Sequence, residues 1–134
     1  MTQEDKNLLL KDLSARLPYG VKVRYSSYEK FITCTLQALK PVYNIVDLWS
    51  KEACFNSVHI NKIKPYLFPL SSMTEEQKEE FDQLIELELK AINDEIVPMQ
   101  TTEFEVDFYH KHHLDWRGLI QKGLAIDCTN LNIY

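Results

Sequence analysis

The sequence predicts one α+β domain over residues 1–134: a small, mostly antiparallel sheet with an N-terminal helix, a long acidic helix and short C-terminal helices. Two observations support this fold class. Apolar residues recur at helical spacing at the start of the chain and again from residue 74, and they alternate with a period of two over much of the stretch between. A length of 134 residues and a hydrophobic content of 45% are typical of a single globular domain.

The first helix is predicted over residues 3–17. Thr2 is a suitable N-cap, and a stripe of leucines follows at positions that share one helical face. The stripe consists of Leu9, Leu10, Leu13 and Leu17. Pro18 and Gly20 then end the helix and begin a turn.

Four strands are predicted next, because apolar and polar side chains alternate. They cover residues 21–25, 30–36, 42–49 and 56–60. In the second strand the alternation places Phe31, Thr33 and Thr35 on one face, opposite Ile32, Cys34 and Leu36.

The segment 63–73 is apolar but contains Pro65 and Pro69. Each proline removes a backbone donor and disfavours helix just before it. We therefore expect an extended segment that crosses the core, and no regular element.

The second helix is the clearest element and covers residues 74–96. Thr74 and Gln77 form a capping box. Nine acidic residues lie between Glu75 and Glu95, against two lysines, and Pro98 ends the helix.

The C-terminal part combines three shorter predictions. Residues 103–113 fit both a strand and a helix, and we favour the helix. Asp115 predicts the N-cap of a short helix over 116–122, and residues 124–127 predict a last strand.

Charge and cysteine content limit the classes of function. A net charge of −5 disfavours nucleic-acid binding, which depends on neutralising phosphates. Cys34, Cys54 and Cys128 lack the spacing of a zinc knuckle or a disulfide framework, so we expect three small buried hydrophobic residues in a reducing compartment. No signal-peptide pattern and no apolar run of membrane-spanning length is present, which predicts a cytoplasmic protein without a membrane partner.

The stretch YHKHHLDWRGLI, residues 109–120, concentrates the side chains that could carry chemistry. His110, His113 and Asp115 are candidate metal ligands or acid–base groups, and His59 could join them from the strands. The spacing differs from the H-E-x-x-H pattern of helical zinc sites. We therefore favour a structural role at a helix end and expect no cofactor, and we keep a metal-binding or small-ligand-binding protein or a hydrolase as the alternative.

The acidic helix and the junction after it are the candidate partner-binding surface. Acidic runs on an amphipathic helix are usually solvated, but such a face can also bind a basic partner. The candidate contacts are Glu79, Glu80, Trp116 and Arg117.

A second alternative is a nucleic-acid binder that uses the strands. Basic and tyrosine residues there could hold phosphates and stack bases, although no RNP or helix-turn-helix pattern is present. The residues are Lys22, Arg24, Lys30, Lys62 and Lys64, with Tyr25, Tyr28 and Tyr66.

Three stretches carry a resemblance: LLLKDLSARLPYGVKV (8–23), IKPYLFPLSSMTEEQKEEF (63–81) and KHHLDWRGLIQKGLAID (111–127). Together they resemble a family of small uncharacterised proteins of gut anaerobic bacteria and of their phages and mobile elements. The resemblance implies a compact intracellular accessory protein, such as a host-interacting or defence-modulating factor. It implies no catalytic residue.

The sequence features favour a non-enzymatic interaction protein, and the resemblance implies that it belongs to a phage or mobile element. We expect a protein partner, consider a homo-oligomer compatible with the sequence, and regard nucleic acid as the less favoured partner.

Overall fold

The computed structural model describes residues 1–93 and 101–134, and its architecture confirms the α+β class. Three helices accompany a seven-stranded, mostly antiparallel sheet in these ranges. The helices are α1 (Gln3–Arg16), α2 (Glu75–Asn93) and α3 (Thr101–Lys111). The strands are β1 (Lys22–Ser27), β2 (Lys30–Lys40), β3 (Ile45–Trp49), β4 (Cys54–His59), β5 (Ile63–Pro69), β6 (Leu114–Asp115) and β7 (Ile126–Asp127).

The sheet consists of an antiparallel meander that is extended by later strands. Neighbouring strands follow the order β4–β3–β2–β1–β5–β6, and β7 also pairs with β5. Strand β5 is antiparallel to β1 but parallel to β6 and β7. Val23 of β1 stands opposite Cys34 of β2 and Pro65 of β5, which fixes the register of the three central strands.

Helix α1 covers one face of the sheet. Thr2 and Asp5 form a capping box at its start, which satisfies two backbone donors that the helix itself leaves free. The leucines of its apolar stripe pack with alternate residues of the strands. This core includes Leu9, Leu13, Val21, Val23, Cys34, Leu36, Val46, Leu48, Ile60, Ile63 and Leu67.

The prediction that residues 63–73 form no regular element is wrong, because residues 63–69 form strand β5. The expected extended path across the core is confirmed: Ile63, Pro65 and Leu67 are buried. A proline is tolerated in a strand where its nitrogen does not face a ladder partner. Pro65 stands opposite Val23 inside the ladder, and Pro69 ends the strand.

The helices of the second half are confirmed in part. Helix α2 begins directly after Thr74, and both hydrogen bonds of the predicted Thr74–Gln77 capping box form. The predicted continuation over 94–96, together with Asp94, Glu95 and Pro98, lies outside the described residues. Helix α3 confirms the helix predicted over residues 103–113, although it ends at Lys111 and leaves His112 and His113 outside.

The predicted short helix over 116–122 is wrong, because this stretch consists of a bend at 116–117 and turns from residue 119 onward. Asp115 belongs to strand β6 and binds the backbone amides of two residues in these turns. The predicted last strand is present only as Ile126–Asp127.

The cysteines are all free, and Cys34 and Cys128 are buried as expected. Cys54 is exposed, which corrects the prediction for that residue. Among the described residues, no helix combines the length and the apolar character needed to cross a bilayer.

Candidate functional site

The junction between α3 and β6 contains the histidine-rich stretch. His113 adopts a left-handed backbone conformation with φ of 57°, which ends the helical path after α3. The chain then turns into β6, where Leu114 pairs with Phe68 of β5. The carbonyl of His113 accepts a hydrogen bond from the Phe68 amide at 2.8 Å. The stretch therefore joins a helix to the sheet.

His110 is buried on α3 and forms a hydrogen bond within the junction. Its Nε2 accepts a hydrogen bond from Trp116 Nε1 at 3.0 Å, so this nitrogen carries no proton. Burial, followed by the positive charges of Arg16 and Arg117, lowers the pKa of His110 to about 4. His110 is therefore a neutral acceptor at neutral pH.

His113 packs against Tyr134. The two rings are stacked, with centroids 3.7 Å apart and planes 12° from parallel. The Nδ1 atom of His113 is buried and has no hydrogen-bond partner among the described residues. Burial, followed by the nearby charges of Arg16, His112 and Lys22, lowers the pKa of His113 to about 4.

A buried charge network ties the junction to α1. Arg16 Nε donates to Asp12 Oδ2 at 2.8 Å, and neither side chain has any solvent-exposed surface. Arg16 Nη2 also donates to the carbonyl of Leu114 at 2.6 Å. Arg117 Nε donates to the second oxygen of Asp12 at 3.1 Å, and the Arg117 guanidinium lies over the Trp116 ring.

Asp115 is satisfied by backbone donors. Its two carboxylate oxygens accept hydrogen bonds from the amides of Leu119 and Ile120, both at 2.9 Å. This arrangement holds the turns that follow β6, and it places both oxygens in bonds that stabilise the fold.

The predicted metal ligands are not brought together. Within residues 1–93 and 101–134, no group of three or more histidine, cysteine, aspartate or glutamate residues is arranged to hold a metal ion. His59 lies away from the junction, at the end of β4, where its Nδ1 accepts from the Asn61 amide. The geometry thus gives no support to a metal centre on His110, His113 and Asp115.

The candidate partner-binding residues differ in their contacts. Glu80 of α2 binds Lys111 and His112, each at 3.1 Å, and thereby links α2 to the end of α3. Partial burial opposes ionisation of Glu80, but these two bonds hold its pKa below the usual value. Trp116 and Arg117 take part in the junction described above. Glu79 is exposed and has no side-chain partner in the described part of the chain.

The face of the sheet that points away from α1 is a separate candidate surface. Directly opposite residues of antiparallel strands share a face, and on this face basic residues lie beside exposed rings. We call it the outer sheet face and define it by Lys22, Arg24, Phe31, Thr33, Thr35, Trp49 and Lys64. Phe31 and Trp49 are exposed, and Arg24 lies over Phe31 with its guanidinium carbon 4.2 Å from the ring centre.

An open groove of about 740 Å³ runs across the outer sheet face beside the β3–β4 turn. Lys22, Lys30 and Lys51 contribute cations to its lining, and Glu52 contributes the one carboxylate among the lining residues. Lys30 and Lys51 are exposed, whereas Lys22 Nζ also donates to the carbonyl of Ile133 at 3.0 Å.

Lys22, Arg24, Lys30 and Lys64 were predicted from the sequence as cations of a binding surface, but Lys51 and the rings of this surface were not. Tyr25 packs in the core against Phe55, and Tyr66 is buried. Tyr28 is fully exposed in the β1–β2 turn. The rings on the outer sheet face belong to Phe31 and Trp49, and the alternation within β2 was the signal that could have found Phe31.

Lys62 is exposed in a 3-10 turn before β5, whereas Lys64 faces Arg24 across the ladder. Lys64 thus belongs to the outer sheet face, whereas Lys62 precedes the strand and has no ladder partner there.

Comparisons with protein-family models, with curated proteins and with solved structures found no match to this chain. The resemblance described for the three sequence stretches therefore stays a prediction.

Proposed function

We propose that this chain is a non-enzymatic binding protein that holds a negatively charged partner chain on its outer sheet face. One observation carries the proposal: a protein with a net charge of −5 collects Lys22, Arg24, Lys30, Lys51 and Lys64 on and around one exposed face. In the described part of the chain, none of these cations forms an ion pair with a carboxylate.

The arrangement of Arg24 and Lys64 supports an anionic partner. The two residues are directly opposite each other on β1 and β5. Like charges in this position destabilise a sheet pair by a few tenths of a kcal/mol to about 1 kcal/mol. A negatively charged partner would relieve this repulsion, and it would be drawn to the surface by charge complementarity.

The side chains best suited to acid–base chemistry are engaged in structural contacts, which supports a binding function rather than a catalytic one. His110 accepts a hydrogen bond from Trp116, His113 stacks on Tyr134, and Asp115 binds two backbone amides. These contacts hold the junction together. An accessory protein of a phage or mobile element, as the resemblance implies, would act through such a binding surface.

The proposal is tested by titrating isotope-labelled protein with heparin, a flexible polyanion, and following the backbone amide signals by NMR. We expect shifts in β1, β2 and the β3–β4 turn, and none in α1. Heparin-column retention should decrease for Lys30→Glu and Lys64→Glu but not for Lys11→Glu, which changes an exposed lysine on α1. Equal retention of all three variants, or shifts confined to α2, would show that the outer sheet face is not the binding surface.

A further inference from the structure

We propose that the partner of the outer sheet face is single-stranded nucleic acid, whose bases stack on Phe31 and Trp49 while the surrounding cations contact its phosphates. This inference rests on the proposed function and names the class of its partner. It follows from the rings, which a purely electrostatic surface does not need.

The two rings are unusually accessible for their size. Phe31 is 68% exposed and Trp49 is 43% exposed, and both lie on regular strands rather than in loops. A strand holds a side chain in a defined direction, so the rings form a fixed platform. Every nucleobase has a π-face, and stacking on such a platform does not depend on base identity.

Arg24 places a positive charge beside Phe31, so that a base stacked on this ring would have a cation next to its phosphate. Its guanidinium lies over Phe31 at 4.2 Å, and Lys64 adds a second positive charge on the neighbouring strand. The cation orients the ring and places positive charge next to it. A nucleotide carries the matching pair of groups, a planar base and an anionic phosphate.

The distance between Phe31 and Trp49 indicates the path of the nucleic-acid strand across the sheet. Trp49 pairs with Thr35, which lies four residues beyond Phe31 on β2. At about 3.3 Å per residue, the ring-bearing positions are roughly 13 Å apart along the strand direction. Phe31 and Trp49 therefore stack on two different bases. The nucleic-acid backbone between these bases passes along the groove that Lys22 and Lys51 line.

Other anionic partners use this surface less completely. An acidic peptide would neutralise the cations but would leave both rings without a planar group to stack on. A duplex presents phosphates but keeps its base faces within its own stack. Only an unpaired strand offers both groups at once, which is why we place it ahead of the other two.

The test measures fluorescence anisotropy of labelled strands of about 12 nucleotides, as DNA and as RNA, against the purified protein. The same sequence as a duplex and a labelled polyglutamate peptide are measured alongside. We expect the single strands to bind more tightly than the duplex and the peptide. Phe31→Ala and Trp49→Ala should each weaken binding by about 5- to 150-fold, the loss expected for one stacked base.

Tyr43→Ala is the matched control, because Tyr43 is an exposed aromatic residue that does not line the groove. Lys30→Gln and Lys64→Gln should each reduce the slope of log affinity against log salt by about 0.7. Circular dichroism of each variant shows that the fold is retained before its binding is interpreted.

The outcomes separate this inference from the proposed function. Binding to heparin and polyglutamate that is unaffected by Phe31→Ala and Trp49→Ala, with no preference for single strands, would disprove the nucleic-acid inference but leave the anion-binding function standing. A protein that binds none of these polyanions would disprove both.

Discussion

Arg16 and Asp12 form an ion pair one helical turn apart on α1, and both side chains are fully removed from solvent. The pair is completed by Arg117, which binds the other carboxylate oxygen, and by the Leu114 carbonyl. A buried pair of this kind contributes little compared with apolar residues of the same shape, but breaking it leaves an uncompensated charge in the core. Helix α1 and the C-terminal junction therefore depend on one carboxylate.

Asp12→Ala is expected to lower the free energy of unfolding by about 3–5 kcal/mol, because Arg16 would keep its buried charge without a counter-ion. Denaturant unfolding followed by circular dichroism measures this loss. Lys78→Ala is the control, since it breaks the exposed Lys78–Glu75 pair and should cost less than about 1 kcal/mol. Similar losses for the two variants would show that the buried network is not needed for stability.

The buried histidines predict a loss of stability in mild acid. The folded protein binds a proton on His110 or His113 only near pH 4, whereas the unfolded chain does so near the ordinary pKa of about 6.5. The stabilisation is therefore complete above about pH 6.5 and is lost as the pH falls towards 4. Allowing for partial screening, we expect a loss on the order of 1–2 kcal/mol.

Thermal and denaturant unfolding between about pH 6.5 and 5 isolates this effect, because most carboxylates titrate below that window. His110→Gln keeps an acceptor for Trp116 but removes one of the two titrating rings, so it should reduce the pH dependence and leave the part that is due to His113. A wild-type protein whose stability does not change in this window would contradict the prediction.

The hydroxyl group of Tyr134 is expected to contribute to the free energy of unfolding. This hydroxyl accepts a hydrogen bond from the Lys22 amide and donates one to the Tyr66 carbonyl, both at 2.9 Å, at the position where β1 and β5 separate. Tyr134→Phe keeps the ring against His113 but leaves both backbone groups unpaired, which should cost about 1–3 kcal/mol. Tyr43→Phe, on an exposed ring, should change the unfolding free energy by less than half as much.

Substitution of Asp115 and addition of a chelator together distinguish a structural role of this residue from metal binding. Asp115→Ala removes the acceptor of two backbone amides and is expected to cost about 1–3 kcal/mol. A chelator should leave the melting temperature of the wild-type protein unchanged, because the carboxylate acts through hydrogen bonds. A chelator-induced decrease comparable to the effect of Asp115→Ala would instead support the metal hypothesis.

The sequence was most informative where one local pattern decides the structure. The Thr2 and Thr74 caps, the leucines of α1 and the alternation in β1 and β2 were all read correctly, because each depends on neighbours in the chain.

Long-range pairing decided the remaining elements. Pro65 and Pro69 argued against a strand, but β1, β6 and β7 hold residues 63–69 in one. Aspartate is a common helix cap, yet the backbone of Asp115 pairs with β5 and its carboxylate binds an amide in the following turns. Propensity rules do not include partners that are distant in sequence.

The candidate surfaces show the same limit. A net charge of −5 is a property of the whole chain, whereas binding depends on which charges share a face. Register brings Arg24 and Lys64 together, and neither composition nor spacing reveals that pairing.

The position of β5 also determines when the domain can be completed during synthesis. The meander and β5 pair with residues that precede them, as Pro65 does with Val23. Tyr66 and Phe68, however, pair with Ile126 and Leu114, which emerge from the ribosome much later. Contacts between residues far apart in sequence form slowly, since the intervening chain must first be ordered. Strand β5 can therefore pair with β1 early, but its pairing with β6 and β7 must wait until residues 114–127 have been synthesised.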